Sequence, residues 1–415
     1  MIEIVSNILP SFVVNNIEFF LFILALSLFL YIKRQNLVLA GSFPLLYMLQ
    51  YKTTWGIDLM KSWSKKHPTF WKNVAYVSVF LGIVGTILMV PFLIWQLFFI
   101  VDQGFDSGGG LVLPINTGES QAGDISGVIF YVPFWYWLIV LLFVATVHEF
   151  GHGVIAERFK VKIKSSGFAF LGIIAPIIPA AFVEPDMEDL GRKKRWQQIA
   201  VLGAGPLANV FFAFIFLGMI FGLGVYANNI YEDRGVGFDE ISNTSALYGL
   251  VPFENGTITS LEVENKTIRD PQEIFSYFMI NLSNETELSL SISNFELNED
   301  VEVTFTPTYN AEEERAMIGI FGVRRDVVAL EGYERHASFA QSAGDWLFWF
   351  FLLNFGIGIM NLLPLWITDG GQILRVMLNK YISEEKAMMG VHLISFISLI
   401  LIIVTINPSL LPFVG

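Results

Sequence analysis

The chain has no cysteine among its 415 residues, so disulfides, thiolate metal sites and cysteine nucleophiles are excluded. Charge is scarce too. Only 15% of residues are Asp, Glu, Lys or Arg, against about 25% in soluble domains, and 54% are hydrophobic, against roughly 45–50%. With a mean hydropathy of +0.57, a water-soluble globule of this length is excluded, and the composition is that of a membrane protein with several spans. The formal charge of −13 argues against nucleic acid as a partner, because its phosphates would be repelled.

The little charge present is unevenly placed. Between Ala227 and Gly344 there are 21 acidic and 7 basic residues, a net of −14, which accounts for the whole formal charge. The remainder is nearly neutral and mostly apolar. This pattern predicts one polar domain set into a membrane-embedded chain.

A span needs about 20 predominantly apolar residues. The first candidate, 17–32, is short and stops at Lys33 and Arg34. It has Glu3 ahead of it and no small-residue cleavage site, so it is expected to stay rather than act as a signal peptide. The stretch 37–49 is apolar but too short to cross and is broken by Pro44, so it reads as interfacial or re-entrant. Further spans are expected at about 74–100, 129–155, 199–226, 346–363 and 388–406, giving about six transmembrane helices. Lys and Arg crowd the connections 50–72, 158–198 and 369–387, and none occurs in 101–128. Alternate crossings put every basic connection on one side, the cytoplasm. The N-terminus, the 101–128 loop, the acidic domain and the C-terminus then lie outside. Glycosylation acceptor triplets at Asn243, Asn255, Asn265, Asn281 and Asn284, all in the acidic domain, agree with that orientation.

The third span carries His148-Glu149-Phe150-Gly151-His152. Histidines at i and i+4 share a helix face about 6 Å apart, close enough to hold one zinc ion. Glu149 sits beside them, where it can hold the water that such a metal activates. The chain has only five histidines, and two of them fall at ligand spacing in an apolar helix, where an ionisable group is costly to keep without a function. The plainer alternative is polar glue between helices. The aromatic run Phe134-Trp135-Tyr136-Trp137 marks the outer interface. His148 lies roughly 16 Å further in, so the metal is expected inside the bilayer plane, nearer the cytoplasm. Catalytic zinc takes three protein ligands. The best third candidate is Asp369, at the end of another span, where Pro364 and Gly370-Gly371 break the helix and let the carboxylate turn inward.

With HEFGH in one span, Gly205-Pro206-Leu207-Ala208-Asn209 opening the next, and Asn361-x-x-Pro364-x-x-x-x-Asp369-Gly370 closing a third, the chain resembles the site-2 protease family of intramembrane zinc metalloproteases. An archaeal-type member fits the flanking elements. The resemblance implies that His148, His152 and Asp369 are the zinc ligands and Glu149 the catalytic base. It implies that Asn361 steadies the substrate backbone or oxyanion; the alternative for Asn361 is an interhelical hydrogen bond. Asn209 and Asn354 read as structural. The stretch 168–184 resembles the membrane-dipping loop that the family carries after its first core span. The implied activity is hydrolysis of peptide bonds within or near transmembrane helices of membrane-anchored substrates, with the lipid bilayer as the other partner. Oligomeric state is not readable.

The acidic domain reads as short strands and a helix: 256–263 a strand, Asp270 capping a helix through about Phe278, 287–292 and 301–306 later strands, and 227–240 a linker. This order resembles a PDZ domain, with Leu247-Tyr248-Gly249-Leu250 nearest to a carboxylate-binding loop. The expected architecture is thus a polytopic α-helical membrane protein with an inserted α+β PDZ-like domain. Its parts are an N-terminal membrane region with two or three spans (1–128), two core spans (129–226), an extracytoplasmic PDZ-like domain (227–344), a third core span (345–386) and a last span (387–415). A prenyl-peptide type of zinc protease would want a Glu-x-x-x-Asp motif on a later helix, which no span has. A transporter would show inverted repeats, and none is evident. The complete set of ligands and base argues against a PDZ-bearing scaffold with a dead site. The glycine-rich 104–110 is a candidate gate.

Overall fold

The computed structural model describes residues 11–42, 46–103, 111–114, 129–172, 176–264, 266–310 and 315–410; the candidate gate at 104–110 lies outside them. The chain forms two compact units. One comprises Met1–Ile220 with Asp345–Gly415, the other Phe221–Gly344.

In the first unit, five helices among the described residues are long and apolar enough to cross a membrane. They are α3 (Pro68–Gln103), α4 (Phe134–Arg158), α6 (Arg195–Ala227), α8 (Glu334–Met360) and α10 (Glu384–Ile406). The chain passes between the units within α6 and α8. The first expected span is α1 (Ile17–Lys33), whose 17 residues rise only about 25 Å, short of the ~30 Å hydrocarbon core. Large apolar side chains such as Phe80, Phe98, Phe214 and Phe396, on three of these helices, are exposed. So many exposed large apolar side chains are what lipid contact requires. Lipid tails supply no hydrophobic drive between helices, so close approach of small residues must do that work. A Cβ at Gly151 of α4 would run into the Ala204 carbonyl of α6, and one at Gly203 of α6 would run into the Ser78 carbonyl of α3.

Two apolar stretches that resist classification by periodicity become a sheet. The strands β1 (Leu37–Ser42), β2 (Leu46–Thr53), β5 (Ile163–Gly172) and β6 (Pro176–Pro185) are antiparallel throughout, in the order β1-β2-β5-β6. Within the stretch 37–49, read as interfacial or re-entrant, β1 pairs with β2, and within 168–184 β5 pairs with β6. Short apolar runs leave strand and helix undecided; what decides here is pairing between β2 and β5, more than a hundred residues apart in sequence. The amphipathic α2 (Ile57–Lys66) follows β2, a short parallel pair β3 (Leu111–Leu113) and β4 (Ile129–Tyr131) precedes α4, and α5 (Met187–Gly191) follows β6. Asp186 caps α5 by accepting from the Glu188 and Asp189 N–H groups, and its own N–H bonds the Lys162 carbonyl at 2.7 Å. Both ends of the hairpin are thereby tied down. After α8 the chain breaks at Pro364 and restarts as α9 (Asp369–Leu378), with Thr368 as its cap.

The strands of the second unit are β7 (Tyr231–Phe238), β8 (Glu240–Ile241), β9 (Gly256–Val263), β10 (Lys266–Ile268), β11 (Leu288–Asn294), β12 (Glu299–Phe305), β13 (Thr308–Asn310), β14 (Arg315–Met317), β15 (Ile320–Phe321) and β16 (Arg324–Ala329). Six of them form an antiparallel sheet in the order β12-β11-β9-β7-β16, with β10 on β9, while β8 pairs with β15 and β13 with β14. The stretch 227–240 is thus no linker: β7 is an interior strand of the sheet. Glu232, Asp233, Arg234 and two glycines hide it in sequence, yet Val236 and Phe238 reach the core. Helix α7 (Pro271–Ser276) starts at Asp270, which accepts from the Gln272 and Glu273 N–H groups. Leu247 is fully buried in the core of this unit, with Tyr248 and Leu250 exposed.

Leu290 of β11 is fully buried opposite Leu261 and Val303. Leu290→Ala is expected to cost about 2–5 kcal/mol, by lost burial plus the cavity left. Hydrogen exchange on the full chain in detergent should show protection lost in β9 and β11 and kept in α3, α4 and α6.

Candidate metal centre

His148 and His152 lie one turn apart on α4 and are both buried. The break between α8 and α9 brings Asp369 to them, and Asp369 is buried as well. That break needs its glycines: a Cβ on Gly370 would strike the Leu362 carbonyl, and one on Gly371 the Leu365 carbonyl. The two Nε2 atoms are 3.0 Å apart, and Asp369 Oδ2 lies 3.1 Å from that of His148 and 3.3 Å from that of His152. Donors about 2.0–2.1 Å from a tetrahedral zinc stand about 3.3 Å from one another, so the triangle is close to one face of such a site.

The hydrogen bonding around the triangle argues for a cation in it. His152 Nδ1–H donates to the Val201 carbonyl at 2.7 Å. A carbonyl oxygen only accepts, so the proton of neutral His152 sits on Nδ1 and the Nε2 lone pair faces the triangle. Among the described residues, buried Asp369 Oδ2 meets no donor other than the two Nε2 atoms, and with both Nε2 lone pairs turned to it this costs heavily unless a cation takes it. A single proton can bridge one edge of the triangle, whereas a divalent ion satisfies all three. Space for it comes from α6, because a Cβ on Gly205 would collide with both Nε2 atoms. Two imidazoles and one carboxylate are a donor set suited to zinc.

Glu149 follows His148 on the helix and accepts from the Val183 N–H of β6 at 2.7 Å. A cavity of about 700 Å³ opens over the triangle, lined by His148, Glu149, His152, Asn361 and Asp369, and by β6 from Ile178 to Pro185. Asn361 therefore faces the cavity, though its Nδ2 donates to its own helix, at the Ile357 carbonyl. Asn354 is fully buried on α8, donating to the Phe350 carbonyl. Asn209, which reads as structural in sequence, lies with its carboxamide 3.1 Å from His148 Nδ1. Sequence reading also passes over the Val201 carbonyl, the bare face of Gly205, the Val183 N–H and Gln372, which lines the cavity. Backbone groups and an absent side chain leave no motif. The one available signal was the i, i+4, i+8 spacing of Val201, Gly205 and Asn209, which puts them on one face of α6.

Beyond the ligand geometry, the family model described as Peptidase family M50 matches residues 136–404. The chain belongs to this family, the site-2 proteases, and is a multi-pass membrane protein. A Xylella fastidiosa protein provisionally named a zinc metalloprotease is 30% identical over 122 residues, which is 23% of this chain and 27% of that protein. Its counterpart in a second strain gives the same figures. An uncharacterized protein of Methanocaldococcus jannaschii is 27% identical over 327 residues, covering 73% of this chain and 74% of the other. The match thus spans about a quarter of the length of the Xylella relatives and about three quarters of the Methanocaldococcus one.

Gly205→Val places a side chain where the ion would sit. Zinc measured by mass spectrometry of the purified protein is expected to fall to background. Gly218→Val, where nothing lies within 4 Å of the added Cβ, should leave the zinc content unchanged.

Proposed function

We propose that the protein is an intramembrane zinc metalloprotease that hydrolyses peptide bonds within or near transmembrane helices of membrane-anchored substrates. The observation that carries this reading is the buried His148–His152–Asp369 triangle, with both histidines in the long apolar α4, opening with Glu149 onto one cavity. His148 is eleven positions from Trp137 and ten from Arg158 along α4, about 16 Å from the aromatic run and about 15 Å from the basic end, which is a depth within the hydrocarbon core.

Bound zinc supplies Lewis-acid polarisation of the scissile carbonyl and acidifies water. The chain supplies the rest. The Glu149 carboxylate takes the proton of the attacking water and passes it to the leaving nitrogen. Asn361 steadies the substrate from the cavity wall. The substrate is received by β6. Ser166 of β5 turns its carbonyl to Thr53 of β2, so its partner Val183 is a non-hydrogen-bonded pair whose N–H faces the free edge of the sheet. By alternation the Ala181 N–H faces the same way, bracketed by Pro179 and Pro185, which have none. An unwound substrate segment can add a strand at this short window, exposing a carbonyl that its own helix would otherwise shield.

The basic segments support a cytoplasmic position for this end of the molecule. Arg158 Nε donates to the Pro68 carbonyl and Arg195 to the Asn379 carbonyl, so the lysine- and arginine-rich connections cluster on one side, as the positive-inside rule requires. On this reading the 221–344 unit is extracytoplasmic and PDZ-like, serving either to capture exposed termini or to exclude substrates with large ectodomains.

The test is mass spectrometry of a transmembrane peptide incubated with the purified protein. Wild type should cut within the hydrophobic stretch. Glu149→Gln should keep zinc and lose cleavage, and cleavage retained in that variant would sink the assigned role. Ala181→Pro removes an edge N–H without touching a metal ligand, so cleavage should drop at least tenfold with zinc content unchanged.

A further inference from the structure

A histidine bound to zinc through Nε2 must carry its proton on Nδ1, and that proton needs an acceptor. For His152 the acceptor is the Val201 carbonyl of α6. For His148, the hydrogen-bond partner at Nδ1 among the described residues is the carboxamide of Asn209, two turns further along the same face of α6. Asn209 is fully buried. Its nitrogen faces His148 Nδ1 at 3.1 Å, and its oxygen has no partner. In that orientation the amide donates to Nδ1 and drives the His148 proton onto Nε2, where it points at Asp369 Oδ2. A His148 protonated at Nε2 has no lone pair there with which to ligate a metal.

We infer that Asn209 is the positioning residue that sets the His148 tautomer, turning its Oδ1 to accept from Nδ1–H when the metal is bound. A carboxamide rotated by half a turn exchanges N and O with little change of shape, so the buried, unpartnered Oδ1 is already within reach of its second role. Val201, Gly205 and Asn209 then form one device on α6. The first and last hold the two imidazole protons away from the triangle, and the middle one leaves room for the ion. The inference rests on the zinc-protease reading, and it adds that α6, which supplies no metal ligand, governs metal affinity.

The experiment is zinc titration of the full-length protein against a competing chelator, comparing wild type with Asn209→Leu and Asn209→Asp. Loss of such an outer partner typically weakens metal binding 10–100-fold. Asn209→Leu is therefore expected to weaken zinc binding by about that factor, and Asn209→Asp, which presents an acceptor from either oxygen, to restore it. ¹⁵N NMR of the five histidines should show a zinc-bound His148 protonated at Nδ1 in wild type. Leucine and wild type binding zinc equally would overturn the inference. So would equal weakening by leucine and aspartate in proteins with wild-type hydrogen-exchange protection, which would make Asn209 a packing residue only. A wild type that holds no zinc would instead overturn the metalloprotease reading on which the inference depends.

Discussion

Three groups that ordinarily seek water, His148, His152 and Asp369, converge at 3.0–3.3 Å inside a bundle of apolar helices. In the protonation state that can ligate, with both Nε2 lone pairs free, they repel, since two lone pairs and a carboxylate oxygen face the same point. Much of the surrounding architecture answers that constraint. The break at Pro364 carries Asp369 inward, Gly370 and Gly371 let the turn pack against its own carbonyls, and α6 presents a face without a side chain at Gly205. A buried cation would turn this concentration of cost into a stable centre, and the same cation would supply the chemistry of the proposed hydrolysis.

The sheet solves a second problem set by the membrane. Backbone in an apolar surrounding must have its hydrogen bonds met, and β2 pairs the β5 edge that a lone β5–β6 hairpin would leave open. The four-stranded sheet ends at β1 and at β6, and β6 runs along the cavity, where Glu149 takes the Val183 N–H. The opening in the hydrogen-bonding pattern thus lies on the wall of the cavity that holds the triangle and Glu149.

Much of this was legible in the sequence, for reasons that differ residue by residue. Long apolar runs forecast α3, α4, α6, α8 and α10 because lipid permits little else at that length. His148, Glu149 and His152 announced themselves by i, i+4 spacing in a helix that has no other use for them, and Asp369 by a proline and two glycines at the end of a span. The strands β1 and β2 were hidden because their partners are distant in the chain and their apolar runs are short. Strand β7 was hidden because its charged and glycine residues look like a linker until β9 and β16 close around it. Asn209 was read as packing because its partner, His148, lies 61 residues away on another helix.

The central claim is that the buried triangle holds zinc, and X-ray absorption at the zinc edge of the purified wild-type protein tests it most directly. The account predicts a four-coordinate ion with two imidazole nitrogens and oxygen donors at about 2.0–2.1 Å, and no sulfur. Zinc with no imidazole scattering, or protein that stays folded and takes up no zinc, would contradict it.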